Sequence, residues 1–164
     1  ISGSAPGLKT GDRVAVNPSR WCGHCPPCRE GRLNLCENIF FMGSASKTPH
    51  MQGGFASYFD AIPAQCVKIP DHVTYQAAAL AEPLAVCLHA VARAGDVTGK
   101  RAVLFGAGPI GLLTMLAAQR AGIKKVIVPS RNEGDVAEIP KHELGGLEFV
   151  YVDEVSQALE AALP

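Results

Sequence analysis

Four cysteines within fifteen residues constrain this chain more than any other feature. Cys22, Cys25, Cys28 and Cys36 stand in the run C-G-H-C-P-P-C-R-E-G-R-L-N-L-C. Thiolates at that spacing can turn back onto one ion, and the last one, eight positions after Cys28, closes a tetrahedron. Four sulfurs with no open position make a structural zinc site rather than a catalytic one. Pro26, Pro27 and Gly31 predict a compact loop here rather than a helix. Two other readings of four thiols stay open at this point. An iron–sulfur site also uses four thiolates. Disulfides or unrelated buried cysteines are disfavoured in a chain without a secretory signal.

The 164 residues suffice for one ordinary domain or two small ones, and 48% apolar content is enough for a packed core. Lys plus Arg equals Asp plus Glu, 15 against 15. That balance predicts neither nucleic acid nor anionic membrane as a partner. No apolar run reaches the roughly 18–20 residues of a membrane span. The opening Ile1-Ser2-Gly3-Ser4 is polar, unlike a signal peptide, and contains no Met, so the chain reads as a fragment or a processed product. Six thiols with metal-type spacing predict a reducing, cytoplasmic setting.

Periodicity changes midway. After the Gly11-Asp12 turn, Arg13 to Val16 alternate as a strand. The cysteine lobe follows, then an irregular stretch over 39–54. Phe55 to Ile62 and Gln65 to Ile69 read as further strands. From Thr74 the pattern turns helical, over Tyr75 to Ala81 and Pro83 to Ala94, stopping at Gly95. Arg101 to Phe105 reads as a strand. A glycine turn follows, then a helix to Ala121 closed by Gly122, and a strand over Lys125 to Val128. A short helix over Glu133 to Glu138, a strand over Glu148 to Val152 and a helix over Asp153 to Leu163, capped by Asp153, complete the chain.

The turn Gly106-Ala107-Gly108-Pro109-Ile110-Gly111 sits between a strand and a helix, the context a dinucleotide fingerprint requires. Gly106 permits the tight turn, Gly108 lets backbone approach a pyrophosphate, and Gly111 allows close helix–strand packing. The helix start, with Pro109 and Ile110, offers free N–H groups to phosphate. A glycine-rich turn that merely packs well is the plainer reading. A carboxylate for the ribose belongs about twenty residues on. The residues there, Val126-Ile127-Val128-Pro129-Ser130-Arg131-Asn132, include no acid. Ser130 and Arg131 could hold a 2′-phosphate and so select NADP, but a surface arginine in a turn is the favoured reading. Weak or absent nicotinamide binding is the expectation.

These motifs together resemble the zinc-containing medium-chain alcohol dehydrogenases, on the sorbitol and hexonate dehydrogenase branch, over residues 1 to about 125. G-D-R-V-A-V (11–16), the cysteine lobe (22–36), Q-G-G-F-A-S-Y (52–58), A-E-P-L-A-V-C-L-H-A (81–90) and G-A-G-P-I-G (106–111) carry the resemblance in order. V-N-P-S-R (16–20), M-G-S-A (42–45) and P-H-M-Q-G-G-F (49–55) point to the hexonate side. The resemblance implies structural zinc on the four cysteines rather than iron, and NAD or NADP as cofactor. It also implies a polyol or hexonate substrate and leaves a homo-oligomer open. It gives Glu82 a catalytic role, as an acidic group at the family's catalytic zinc. The other ligands of that zinc, a Cys and a His–Glu pair, are expected upstream of Ile1. On that reading the site is incomplete and this chain inactive. Cys87 and His89 read as packing residues, and Cys66 as a small core residue.

The C-terminal residues, from about Leu116, are similar to the end of the Lon protease proteolytic domain. R-A-G-I-K-K-V-I-V-P (120–129), N-E-G-D-V-A-E-I-P (132–140) and L-E-F-V-Y-V-D-E-V (147–155) carry that similarity. Lon chemistry needs a serine activated by a lysine. The lysine position falls on Leu112 and the serine segment is missing, so no protease activity is expected. The expected fold is mixed α/β: a partial GroES-like β-barrel with a zinc lobe over 1–73, the start of a Rossmann-like parallel sheet over 74–128, and a Lon-like α/β tail over 129–164. A non-enzymatic, zinc-stapled fusion remnant is the alternative to a dehydrogenase, and a Lon-type protease fragment the third reading.

Overall fold

The chain folds as two units, one ending at Ala79 and one starting at Leu80. The computed structural model describes residues 7–163. In chain order, the first unit carries β1 (Val14–Val16), β2 (Ser19–Arg20), α1 (Pro26–Arg29), β3 (Phe40–Phe41), β4 (Cys66–Lys68) and α2 (Tyr75–Ala79). The second carries α3 (Ala81–Arg93), β5 (Arg101–Val103), α4 (Pro109–Arg120), β6 (Lys125–Pro129), α5 (Glu133–Ala137), β7 (Glu148–Val152) and α6 (Val155–Ala162).

In the first unit β1 pairs antiparallel with β4, Val14 opposite Lys68 and Val16 opposite Cys66. So short a ladder depends on its flanks. The Asp12 carboxylate accepts the Lys9 N–H at 2.9 Å and meets the Lys68 ammonium at 3.0 Å. The backbone donor first, and Lys68 second, hold its carboxyl below the usual range. Arg13 donates to the Val73 carbonyl at 2.6 Å, and its guanidinium lies 4.4 Å from the Tyr75 ring centroid. Those contacts tie the start of β1 to α2. The amide of buried Gln65 donates to the Asn17 carbonyl at 2.9 Å, and the Asn17 N–H donates back to the Gln65 carbonyl at 2.8 Å.

Two expectations change here. Phe40–Phe41, within the stretch expected to be irregular, pairs with Ser19–Arg20 as a second two-residue ladder. Phe55 to Ile62, expected as a strand, runs as bends and irregular backbone, with Phe55 and Tyr58 exposed. Alternation alone does not make a strand; its N–H and C=O groups need a ladder partner, and none of the described strands pairs with this segment.

The second unit is a parallel sheet in the order β5-β6-β7. Strand β6 lies in the middle, paired over Lys125–Ile127 with β5 and over its whole length with β7. Alternate residues of a strand face opposite sides. Val126 and Val128 join Met115 and Ala118 of α4 in one core cluster, with Val97, Ile123 and Leu147. Ile127 faces the other way yet is 0% exposed, so both faces of β6 are covered. Helix α4 packs against α3, and α6 packs on all three strands. Gly122 closes α4 at φ 99°, a conformation open chiefly to glycine.

Helix α6 starts later than its sequence suggests. Glu154, not Asp153, is the N-cap residue. The Gln157 side chain accepts the N–H groups of both Asp153 (2.8 Å) and Glu154 (3.0 Å), so the acceptor inside the helix sets the start. Because Ile127 has no exposed surface, Ile127→Ala should cost about 2–5 kcal/mol and Ile127→Val about 0.5–1.5 kcal/mol. Chemical denaturation followed by far-UV circular dichroism reads both; equal midpoints for the alanine variant and the parent would contradict this core assignment.

Candidate metal centre and nucleotide turn

The cysteine lobe is built by two short turns. Cys25 is the N-cap of α1, and Pro26 and Pro27 occupy its first positions. A proline there loses nothing, since the first helical N–H groups have no partner within the helix. The residues that suggest a loop in the sequence therefore open one helical turn, closed by the Arg29 N–H to the Cys25 carbonyl at 3.1 Å. That turn brings Cys28 back toward Cys25. Gly31, at φ 77°, lets the chain reverse. A 3₁₀ turn over Leu33–Leu35 then delivers Cys36.

The four Sγ atoms all lie within 4.8 Å of one another, with Cys25 and Cys36 at 4.0 Å. A tetrahedron of sulfurs at Zn–S of about 2.3 Å has edges of roughly 3.8 Å, so the cluster fits that ion. All six cysteines are free thiols. Cys25, Cys28 and Cys36 are buried, Cys22 is half-buried, and Trp21, Leu33 and Ile39 pack around them. The Cys22 N–H points at the Cys36 sulfur at 3.3 Å. The thiols are not equivalent. Cys22 is lowered to about 6, chiefly by the His24 N–H, with help from the Cys25 N–H and the Cys25 and Cys36 thiols. Cys28 is pushed up to about 12, first by burial and then by the Cys25 thiol. A dication is what lets buried thiols ionise together.

In the second unit, Gly106 turns at φ 98°. A Cβ on Gly111 would overlap the Gly106 carbonyl oxygen, so α4 can start this close to β5 only with glycine there. Gly108, the N-cap of α4, has open space where a side chain would be. Pro109 begins the helix and Ile110 is exposed. A buried-backbone approach on one side and an open face on the other is what a pyrophosphate cradle requires. One residue at the turn is not visible in the motif: the Ala107 N–H donates to Asn132 Oδ1 at 3.4 Å, and Asn132 donates to Asp135 at 2.8 Å. A cleft of about 300 Å³ opens beside Leu104, Phe105, Ser130, Arg131, Asp153 and Glu154, just past the carboxyl ends of all three strands.

The remaining candidates lie apart from these features. Glu82 is exposed in the first turn of α3, where a carboxylate suits the helix dipole. Cys87 is buried, and its thiol points at the Ile110 carbonyl at 3.5 Å. His89 is exposed and Cys66 half-buried. Leu112 packs against the core. Among the described residues, the four cysteines are the one group of three or more side chains placed to share an ion.

Elemental analysis should find one zinc per chain, and Cys25→Ser should lose most of it. Protons compete with the metal for thiolates, so zinc retention falls with pH. Cys22, depressed to about 6, stays ionised above that value and loses its contribution as pH falls through it. A colorimetric zinc indicator should therefore report release that grows as pH falls. Retention unchanged down to strong acid would contradict thiolate ligation.

Residues 1–71 match the alcohol dehydrogenase GroES-like domain, and residues 76–164 weakly match the Lon protease (S16) C-terminal proteolytic domain. The chain is 42% identical over 120 residues to the L-idonate 5-dehydrogenase (NAD(P)(+)) of Escherichia coli K12, covering 73% of this chain and 35% of that protein. It is 41% identical over 127 residues to D-xylulose reductase A of Aspergillus oryzae, covering 77% and 34%. It therefore spans about a third of the length of these relatives. The crystal structure of the E. coli L-idonate 5-dehydrogenase superposes with TM-score 0.77 at 35% identity, over 90% of this chain and 42% of the other. The 2R,3R-butanediol dehydrogenase of Bacillus subtilis gives TM-score 0.70 at 33% identity, over 98% and 44%. These likenesses run through most of the residues that also match the Lon domain. Residues 1–71 thus belong to the alcohol dehydrogenase GroES-like domain family, and over most of its length the chain, with its four-cysteine cluster and its parallel sheet, is similar to zinc-type alcohol and polyol dehydrogenases.

Proposed function

We propose that the chain forms part of a zinc-dependent polyol or hexonate dehydrogenase of the L-idonate 5-dehydrogenase kind. The observation that carries this is the turn at Gly106–Gly111, closed to a side chain at Gly111 and open at Gly108. In this reading Cys22, Cys25, Cys28 and Cys36 hold structural zinc, which staples the lobe. Gly106, Gly108, Pro109, Ile110 and Gly111 receive the pyrophosphate, and Glu82 serves near the family's catalytic zinc. The nicotinamide, when bound, supplies the hydride acceptor for oxidation of a CH–OH group. The parts of the chain would then be 1–73 for the GroES-like portion, 74–128 for the start of the nucleotide-binding portion and 129–164 for the tail. A reducing, cytoplasmic setting suits the free thiols, and a homo-oligomer is compatible with the reading.

The match of residues 76–164 to the Lon domain favours a second reading, a zinc-stapled remnant with a Lon-like tail and no turnover. This reading carries no proteolysis: the position that the Lon resemblance gives to the lysine is Leu112, an aliphatic side chain packed against the core, which supplies no base. Nucleotide binding separates the two. Reduced nicotinamide nucleotide should bind, with enhanced fluorescence, and Gly108→Val should abolish binding by filling the open face, with zinc content unchanged. Binding that survives Gly108→Val would refute the cradle. Polyol-dependent nucleotide reduction by this chain, suppressed by a chelator, would exclude the remnant.

A further inference from the structure

We propose that Asn132 is a positioning residue for the glycine turn, and that Asp135 orients its amide. This role rests on the dinucleotide reading of Gly106–Gly111 and adds what holds that turn in shape. Asparagine is a preferred N-cap residue, accepting a free N–H of the helix that follows it. Asn132 stands at the N-cap position of α5 yet makes no side-chain capping bond there. Its Oδ1 instead reaches a residue 25 positions back and accepts the Ala107 N–H at 3.4 Å. Ala107 is 1% exposed. A backbone N–H buried to that degree needs an acceptor, and losing it costs more than an ordinary hydrogen bond contributes. The N–H groups of Ile110 and Gly111, at the start of α4, have no acceptor within the helix. The turn therefore divides its donors. The inward one is held by Asn132, and the two at the helix start remain for a phosphate.

Asp135 decides which end of the Asn132 amide faces Ala107. The Asn132 Nδ2 group donates to the Asp135 carboxylate at 2.8 Å. A carboxylate offers acceptors, so it takes the NH₂ end and turns Oδ1 toward Ala107. With the amide reversed, a donor would face a donor. Asn132 is half-buried and Asp135 exposed, and neither belongs to the core cluster that joins β6 to α4. Changing this pair therefore alters the hold on the turn and leaves that packing in place.

Binding of NADH and of NADPH to the 164-residue chain, read by nucleotide fluorescence, tests the role. Asn132→Leu keeps the shape of the side chain and removes both polar ends. It should weaken the tighter of the two nucleotides by about tenfold or more, the scale of one buried N–H left unpaired. The exchange of Asn132→Asp together with Asp135→Asn keeps an acceptor opposite Ala107 and a donor–acceptor pair between positions 132 and 135. That double variant should restore parental binding. Hydrogen exchange of the Ala107 amide, measured without nucleotide, should be slow in the parent and the double variant and fast in Asn132→Leu. A role in packing alone predicts parental binding by Asn132→Leu. That result, or a double variant as weak as Asn132→Leu, or equal Ala107 exchange in all three, overturns the positioning role and leaves the dinucleotide reading standing. No binding of either nucleotide by the parent overturns both.

Discussion

Sulfur is what the first unit is built around. Among its described residues the buried ones are Cys25, Cys28 and Cys36, joined by Ile69 and the polar Gln65, and the described ladders are two and three residues long. So little apolar burial leaves little hydrophobic stabilisation to oppose chain entropy. An ion bound by the four thiolates would stand in for the missing core, because binding free energy in such a lobe is folding free energy. Without an ion the thiols are unlike groups: hydrogen bonds from the His24 and Cys25 N–H lower Cys22 and burial raises Cys28.

The second unit has the opposite construction. Its centre, β6, is paired on both edges and covered on both faces, so its core is apolar packing rather than sulfur. The carboxyl end of that strand is where the ladder stops and backbone groups become free. The glycine turn and the cleft are both there, as the geometry of parallel sheets dictates.

Strong local signals were legible in the sequence, and pairing was not. Cysteine spacing marked the cluster, and the three glycines marked the turn, because each encodes a local requirement of a metal or a backbone. Helices α3 and α4 and strands β6 and β7 follow directly from periodicity and glycine stops. Phe55 to Ile62 shows the limit: its alternation suits a strand, but a ladder needs a second chain segment that the residues themselves do not specify. Pro26-Pro27 shows another, since two prolines are equally at home in a loop and at a helix start. Asn132 could have been noticed only through the expectation that the turn's free N–H groups need acceptors, and a single asparagine in a polar stretch does not announce such a role.

The bond between Asn132 and Ala107 separates two kinds of change that lie next to each other in the chain. Arg131 stands free at the rim, and its replacement alters what the rim attracts while leaving the framework in place. Asn132 is part of the framework, and its replacement releases the glycine turn from the end of β6. Two neighbouring positions thus carry opposite tolerances: position 131 changes the surface alone, and position 132 changes the backbone that supports it.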